Sequence, residues 1–198
     1  MCFDLDSAPP IPPISGASVS HEDLVLEGAD GNHFAAFSAS PEESSAVGIV
    51  ILPDVRGLYR FYEELALRCA ERGYAAVAID YFGRTAGVGK RGDDFEFMPH
   101  VEQTTGAGVQ ADTRAAVEWL RAAGCGSVFT VGFCFGGRNS WLAAASGHGL
   151  AGAIGFYGRP ESRSGEAPGG RRSRLHRQDH DPKPPRAMRC GRRSRSRP

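Results

Sequence analysis

Ser127-Val128-Phe129-Thr130-Val131 runs directly into Gly132-Phe133-Cys134-Phe135-Gly136-Gly137, and an alanine-rich stretch follows to Ala145. The first segment is short and apolar, which suits a strand covered on both faces in a parallel sheet. The last has the composition of a helix. Between them, Gly-x-Cys-x-Gly-Gly has to turn a strand sharply into a helix. Such a turn strains the backbone of its central residue and brings the residues two before and two after it nearly into contact. Both must be small, and Gly132 and Gly136 meet that demand. Cys134 then stands at the carboxyl end of the sheet and at a helix start. Unpaired N–H groups and the helix dipole there favour a thiolate over a thiol, and the Phe135 N–H is offered to an oxyanion. A cysteine between phenylalanines is also what a small buried hydrophobe looks like. The flanking glycines favour the nucleophile. A dinucleotide fingerprint fits less well, because Cys134 occupies the position that needs glycine.

Outward from this turn, the apolar pattern predicts alternating strands and helices. Two short strands are expected near 22–27 and 33–38, joined by the turn Asp30-Gly31-Asn32. Ala46 to Leu52 is a nearly unbroken apolar run ending at Pro53 and reads as a buried strand. Tyr62, Leu65, Ala66, Cys69 and Ala70 recur at helical spacing, and Gly73 ends that helix. Ala75 to Ile79 is a further strand, and 83–97 reads as a loop. A second helix closes with Ala116, Trp119, Leu120 and Ala123, stopped by Gly124, while its start carries no clear signal. Ala151 to Tyr157 is the last strand. The sum is an α/β chain: a three-layer sandwich around a mainly parallel sheet.

Charge divides the chain. Residues 1–158 hold 10 Lys+Arg against 19 Asp+Glu, whereas residues 159–198 hold 13 against 4. Within 159–198, Leu175 is the only Leu, Ile, Val or Phe. A segment so poor in apolar side chains cannot offset its ordering entropy by burial. Three parts are therefore expected: an irregular arm at 1–21, an α/β domain at 22–158, and a disordered basic tail at 159–198. No apolar run is long enough to span a bilayer, and the acidic N-terminus lacks the features of a secretory signal. Cys2, Cys69, Cys125, Cys134 and Cys190 form no zinc-like pairs. Reduced cysteines in a cytoplasmic protein are expected, with no metal or organic cofactor.

The body resembles the dienelactone hydrolase family, a branch of the α/β-hydrolases with a cysteine nucleophile. The resemblance rests on Ile51-Leu52-Pro53-Asp54-Val55-Arg56-Gly57, on Gly73 to Arg84, on the turn at 132–137 and on Gly155-Phe156-Tyr157-Gly158. These stretches follow the family's order and spacing over about 45–158. The resemblance implies an ester or lactone hydrolase acting on a small molecule. It makes Asp54 the acidic residue close to the Cys134 thiol, able to hold or accept its proton. Val55 supplies the second oxyanion N–H beside that of Phe135. Arg84 matches an arginine that can pair with a substrate carboxylate, though a solvated surface arginine reads equally well. Tyr81 and Trp141 read as packing residues.

The family pattern breaks after Tyr157. Two more strands, an acid loop and a histidine loop are expected there, and the chain has Arg, Ser and Pro instead, as in a truncated α/β-hydrolase. Asp179 and His180 are adjacent and point apart in an extended segment, and His176 precedes the acid, so the triad acid and histidine are not identified. His21, His33, His100 and His148 read as surface or loop residues. The tail's composition is what a GC-rich gene read out of frame gives, so a frameshift near 159–170 is expected. The chain is then a weak or inactive hydrolase. The alternative function is nucleic-acid or acidic-partner binding by the basic tail, which lacks aromatic residues to stack on bases.

Overall fold

The computed structural model describes residue 4 and residues 6–159. The frameshift, the tail and its nucleic-acid alternative, and His176, Asp179 and His180 lie outside the described residues. In chain order the elements are β1 (Val19–Glu27), β2 (His33–Pro41), β3 (Val47–Leu52), α1 (Arg60–Ala70), β4 (Ala75–Ile79), α2 (Gly83–Ala86), α3 (Met98–Gln103), α4 (Gly106–Ala122), β5 (Ser127–Phe133), α5 (Phe135–Ala145) and β6 (Gly152–Phe156). They build one six-stranded sheet in the order β1-β2-β4-β3-β5-β6. The pairs β4·β3, β3·β5 and β5·β6 are parallel, and the leading hairpin β1-β2 joins antiparallel through β2·β4.

The all-apolar β4 is buried at each of its positions, as a strand with helices on both faces must be. One core lies between the sheet and α4, built on Val50, Leu52, Val77, Ile79, Val117 and Leu120. The other lies between the sheet and α1, built on Ile51, Ala76, Ala78, Phe61, Tyr62 and Leu65. The strict alternation of β3 and β4 side chains between these two cores is the period-2 geometry of a strand.

Several boundaries differ from the sequence reading. β1 begins at Val19, inside the stretch read as an arm. The stretch read as a loop over 83–97 opens with the single turn α2; there Gly83 lies so close to β2 that a Cβ would meet the His33 carbonyl at 2.2 Å. The unclear helix start resolves at Gly106, where the Thr105 side chain accepts the Gly108 N–H at 3.1 Å. Threonine is a moderate N-cap, and here it competes with glycines that disfavour helix. Thr105→Ala is expected to cost about 1 kcal/mol in urea unfolding; no change in midpoint would show that the cap is idle.

His148 sits in a loop, one of the two placements expected for it, and is buried there, with Nε2 3.0 Å from the Gln110 side-chain oxygen. Burial, with Arg114 and Arg121 nearby, holds its imidazole below the ordinary histidine range. At the far edge of the sheet, Ile154, Phe156 and Tyr157 are each about half exposed (51%, 47% and 47%). With Phe61, Val131 and Phe133 they line an open apolar hollow of about 810 Å³. No helix among the described residues is long and apolar enough to cross a membrane.

Candidate active site

β5 ends at Phe133 and α5 starts at Phe135, leaving Cys134 alone on the turn at φ 54°, ψ −111°. Apart from glycines, only Cys134 and Tyr157 have positive φ among the described residues. A side-chain-bearing residue persists in that region only where its surroundings hold it. The surroundings here are glycine contacts. A Cβ on Gly132 would meet the Gly136 carbonyl oxygen at 2.1 Å, and one on Gly136 would meet the Leu52 and Pro53 carbonyl oxygens at 2.0 and 2.2 Å. The same approach that forces the turn therefore seats the first turn of α5 on the end of β3. The Cys134 N–H donates to the Phe156 carbonyl at 3.0 Å, tying the turn to β6 as well.

Cys134 is a free, half-buried thiol. The other two cysteines among the described residues are unsuited to nucleophilic work. Burial pushes the Cys69 thiol up to about 11 and also raises that of Cys125, whose Sγ lies 3.4 Å from the Ser45 carbonyl.

The loop leaving β3 faces this turn. Asp54 is fully buried, and its carboxylate accepts four hydrogen bonds. Oδ1 takes the Arg56 backbone N–H at 2.9 Å and Arg56 Nε at 3.2 Å. Oδ2 takes Arg56 Nη2 at 2.8 Å and the Tyr59 hydroxyl at 3.1 Å. Behind the loop, the Tyr62 hydroxyl accepts the Asp54 N–H at 2.8 Å. Arg56 and Tyr59 had no assigned role in the sequence reading. The signal was present as two hydrogen-bonding side chains within five residues of the acid, but their direction depends on the loop's fold.

Tyr81 connects the two halves of the site. Its hydroxyl donates to the Pro53 carbonyl at 2.9 Å, and its ring meets Phe135 edge-on at 5.2 Å. Burial drives its phenol well above the ordinary tyrosine range, with the charges of Asp54, Asp80 and Cys134 adding to the push. Asp54 and Cys134 thus both lie within electrostatic reach of this one buried ring. Tyr81 packs in the core, as expected, whereas Trp141 lies against Gly155 but stays 38% exposed.

The N–H groups of Val55 and Phe135 at this junction have no partner among the described residues. In the loop, those of Asp54, Arg56, Gly57 and Leu58 are all bonded, and that of Val55 is not. The Phe135 N–H opens α5, where no preceding turn can accept it. Phe135 is the donor that the turn offers to an oxyanion, and Val55 the one that the family resemblance implies.

The model of the dienelactone hydrolase family matches residues 34–173. The chain belongs to that family. Carboxymethylenebutenolidase from Pseudomonas putida is 31% identical over 147 residues, covering 69% of this chain and 61% of that protein. The same enzyme name from Pseudomonas knackmussii gives the same identity and coverage. A dienelactone hydrolase-like promiscuous phosphotriesterase from metagenomic libraries superposes with a TM-score of 0.63 at 26% identity, covering 75% of this chain and 63% of that one. The chain spans about three fifths of the length of these family relatives.

Arg84, which the family resemblance offers to a substrate carboxylate, is engaged within the protein. It pairs with Asp30 in the β1–β2 turn through Nη1, and Nη2 donates to Asp112 Oδ1 on α4 at 2.7 Å. Asn32 adds a bond to Asp112 Oδ1 at 3.0 Å. Burial nonetheless pushes Asp112 up to about 6, against the pull of Asn32 and Arg84, with Asp30 adding to the rise. Asp30 is shifted the opposite way, held below its ordinary value by Arg84. For a carboxyl raised on folding, the stabilising contribution is whole below about pH 4 and is lost as pH climbs past about 6. Asp112→Asn is therefore expected to flatten the pH dependence of unfolding between those values, measured by urea titration at each pH. An unchanged slope would remove Asp112 as its source.

Proposed function

We propose that this chain is a cysteine-dependent hydrolase of small esters or lactones, with Cys134 as nucleophile. The observation that carries the reading is Cys134 held at φ 54° on the strand-to-helix turn, with the start of α5 seated against the end of β3, where the Val55 loop begins. Membership of the dienelactone hydrolase family supports the substrate class.

The chemistry runs in two steps. The Cys134 thiolate attacks the carbonyl carbon, a C–S bond forms, and the carbonyl electron pair moves onto oxygen. Val55 and Phe135 N–H groups stabilise that oxyanion; one such donor is worth on the order of 100-fold in rate. Collapse of the intermediate breaks the ester C–O bond. The leaving oxygen departs with the electron pair, and a thioester remains on Cys134. The thiol proton goes to solvent. Water then cleaves the thioester, releasing the acid and restoring the thiol.

The second step needs a base to activate water. Among the described residues no histidine hydrogen-bonds to Cys134: His148 is held by Gln110, and His33 is paired with Glu27. We assign acylation to the described residues and expect their deacylation to be slow. Mixing the full chain with p-nitrophenyl acetate tests this directly. The expected trace is a nitrophenolate burst equal to the protein concentration, then a much slower rate. Linear release with no burst at any protein concentration would refute the acylation step.

A further inference from the structure

The buried bonding around Asp54 points to a different task from that of a base. We infer that Asp54 acts as the lock of the oxyanion loop, with Arg56 and Tyr59 as positioning residues that hold the Val55 N–H in place. The inference rests on the assignment of Cys134 as nucleophile and specifies how the loop opposite it is built.

A carboxylate has about four acceptor positions, two on each oxygen. In Asp54 they are met by four donors: the Arg56 N–H, Nε and Nη2, and the Tyr59 hydroxyl. The carboxylate is fully buried, so water supplies no exchange partner. Accepting the thiol proton would mean giving up one of these charge-assisted bonds inside the protein. The donors are themselves fixed. Arg56 Nη2 also donates to the Tyr59 hydroxyl at 2.6 Å, and the guanidinium lies 4.6 Å from the Tyr59 ring centre.

The same residues set the backbone. The Arg56 N–H folds back onto Asp54 Oδ1, and the Gly57 N–H onto the Asp54 carbonyl at 3.2 Å. Gly57 has φ 81°, and a Cβ there would meet Asp80 Oδ1 at 2.4 Å. Asp80 Oδ1 takes the Leu58 N–H at 3.1 Å, while its other oxygen is paired with Arg91 at 2.8 Å. The loop is thus hung between two buried carboxylates, each neutralised by an arginine. Every N–H from Asp54 to Leu58 is consumed except that of Val55. A loop so constrained presents one donor in one direction, which is the preorganisation that stabilises a developing oxyanion.

Two reagents separate a lock from a base. Acylation by p-nitrophenyl acetate develops an oxyanion; alkylation by iodoacetamide is a displacement at carbon and develops none. Both need the thiolate. The full chain and its Tyr59→Phe and Asp54→Asn variants are treated with each reagent across pH, and the modification is quantified on the Cys134 peptide. Tyr59→Phe leaves the ion pair intact and serves if Asp54→Asn fails to fold. Acylation is expected to slow about tenfold in Tyr59→Phe and on the order of 100-fold in Asp54→Asn. The alkylation rate and its pH midpoint should stay within about twofold of the unaltered chain's. A parallel fall in both reactions, with the alkylation midpoint moved, would make Asp54 a proton acceptor and overturn the inference. So would acylation unchanged in both variants. If Cys134 of the unaltered chain takes up neither reagent, the nucleophile assignment itself fails, and the lock with it.

Discussion

Cys134→Ala is expected to erase the nitrophenolate burst, lowering the rate of ester cleavage at this site on the order of a thousandfold or more. The change removes one half-buried sulfur and keeps a Cβ, so the strained turn, the glycine contacts and the N–H pair all remain. Fold and oxyanion donors survive while the atom that forms the bond is gone. Cys69 is a poor substitute, because its burial keeps it a thiol near neutral pH. The expected observations are a circular dichroism spectrum like that of the unaltered chain and no burst above buffer. A burst of undiminished amplitude would mean that another residue is acylated.

Gly136→Ala is expected to destabilise the domain by about 3 kcal/mol or more, although it adds a single carbon. That carbon would lie 2.0 Å from the Leu52 carbonyl oxygen and 2.2 Å from that of Pro53. Neither oxygen is the end of a flexible side chain. Leu52 belongs to β3, which is paired on both sides, with β4 and β5, so retreat would break ladder hydrogen bonds. Gly106→Ala is the control: its Cβ would meet nothing within 4 Å, at the start of α4, and should change stability by less than about 0.5 kcal/mol. Urea unfolding of the two variants measures the difference. Equal midpoints would show that α5 can shift away from β3, and the close-packed turn would lose its basis.

These contacts explain which features could be read from sequence. The strand at 75–79 and the turn around Cys134 are local patterns: five apolar residues in a row, and glycines two positions either side of a cysteine. Local sterics decide them, so periodicity and composition suffice. Arg84 could not be placed that way. Its partners Asp30 and Asp112 lie 54 and 28 residues distant, and only the tertiary fold brings them together. The bonding around Asp54 is hidden from the sequence for a subtler reason. Arg56 and Tyr59 are near in sequence, yet their side chains converge only because Gly57 turns the loop at positive φ. The start of α4 was obscured by propensity, since Gly106 and Gly108 weaken the helical signal that the Thr105 cap restores. The loop around His148 is legible in its flanking glycines, but its burial depends on Gln110 of α4, 38 residues distant.

The nucleophile is tested most directly by locating the acyl group. The full chain is mixed with p-nitrophenyl acetate, quenched in acid during the burst, digested and sequenced by mass spectrometry. One acetyl group per chain is expected, carried on Cys134, in amount equal to the nitrophenolate released. Acetyl recovered on another residue, with the Cys134 peptide unmodified, would contradict it.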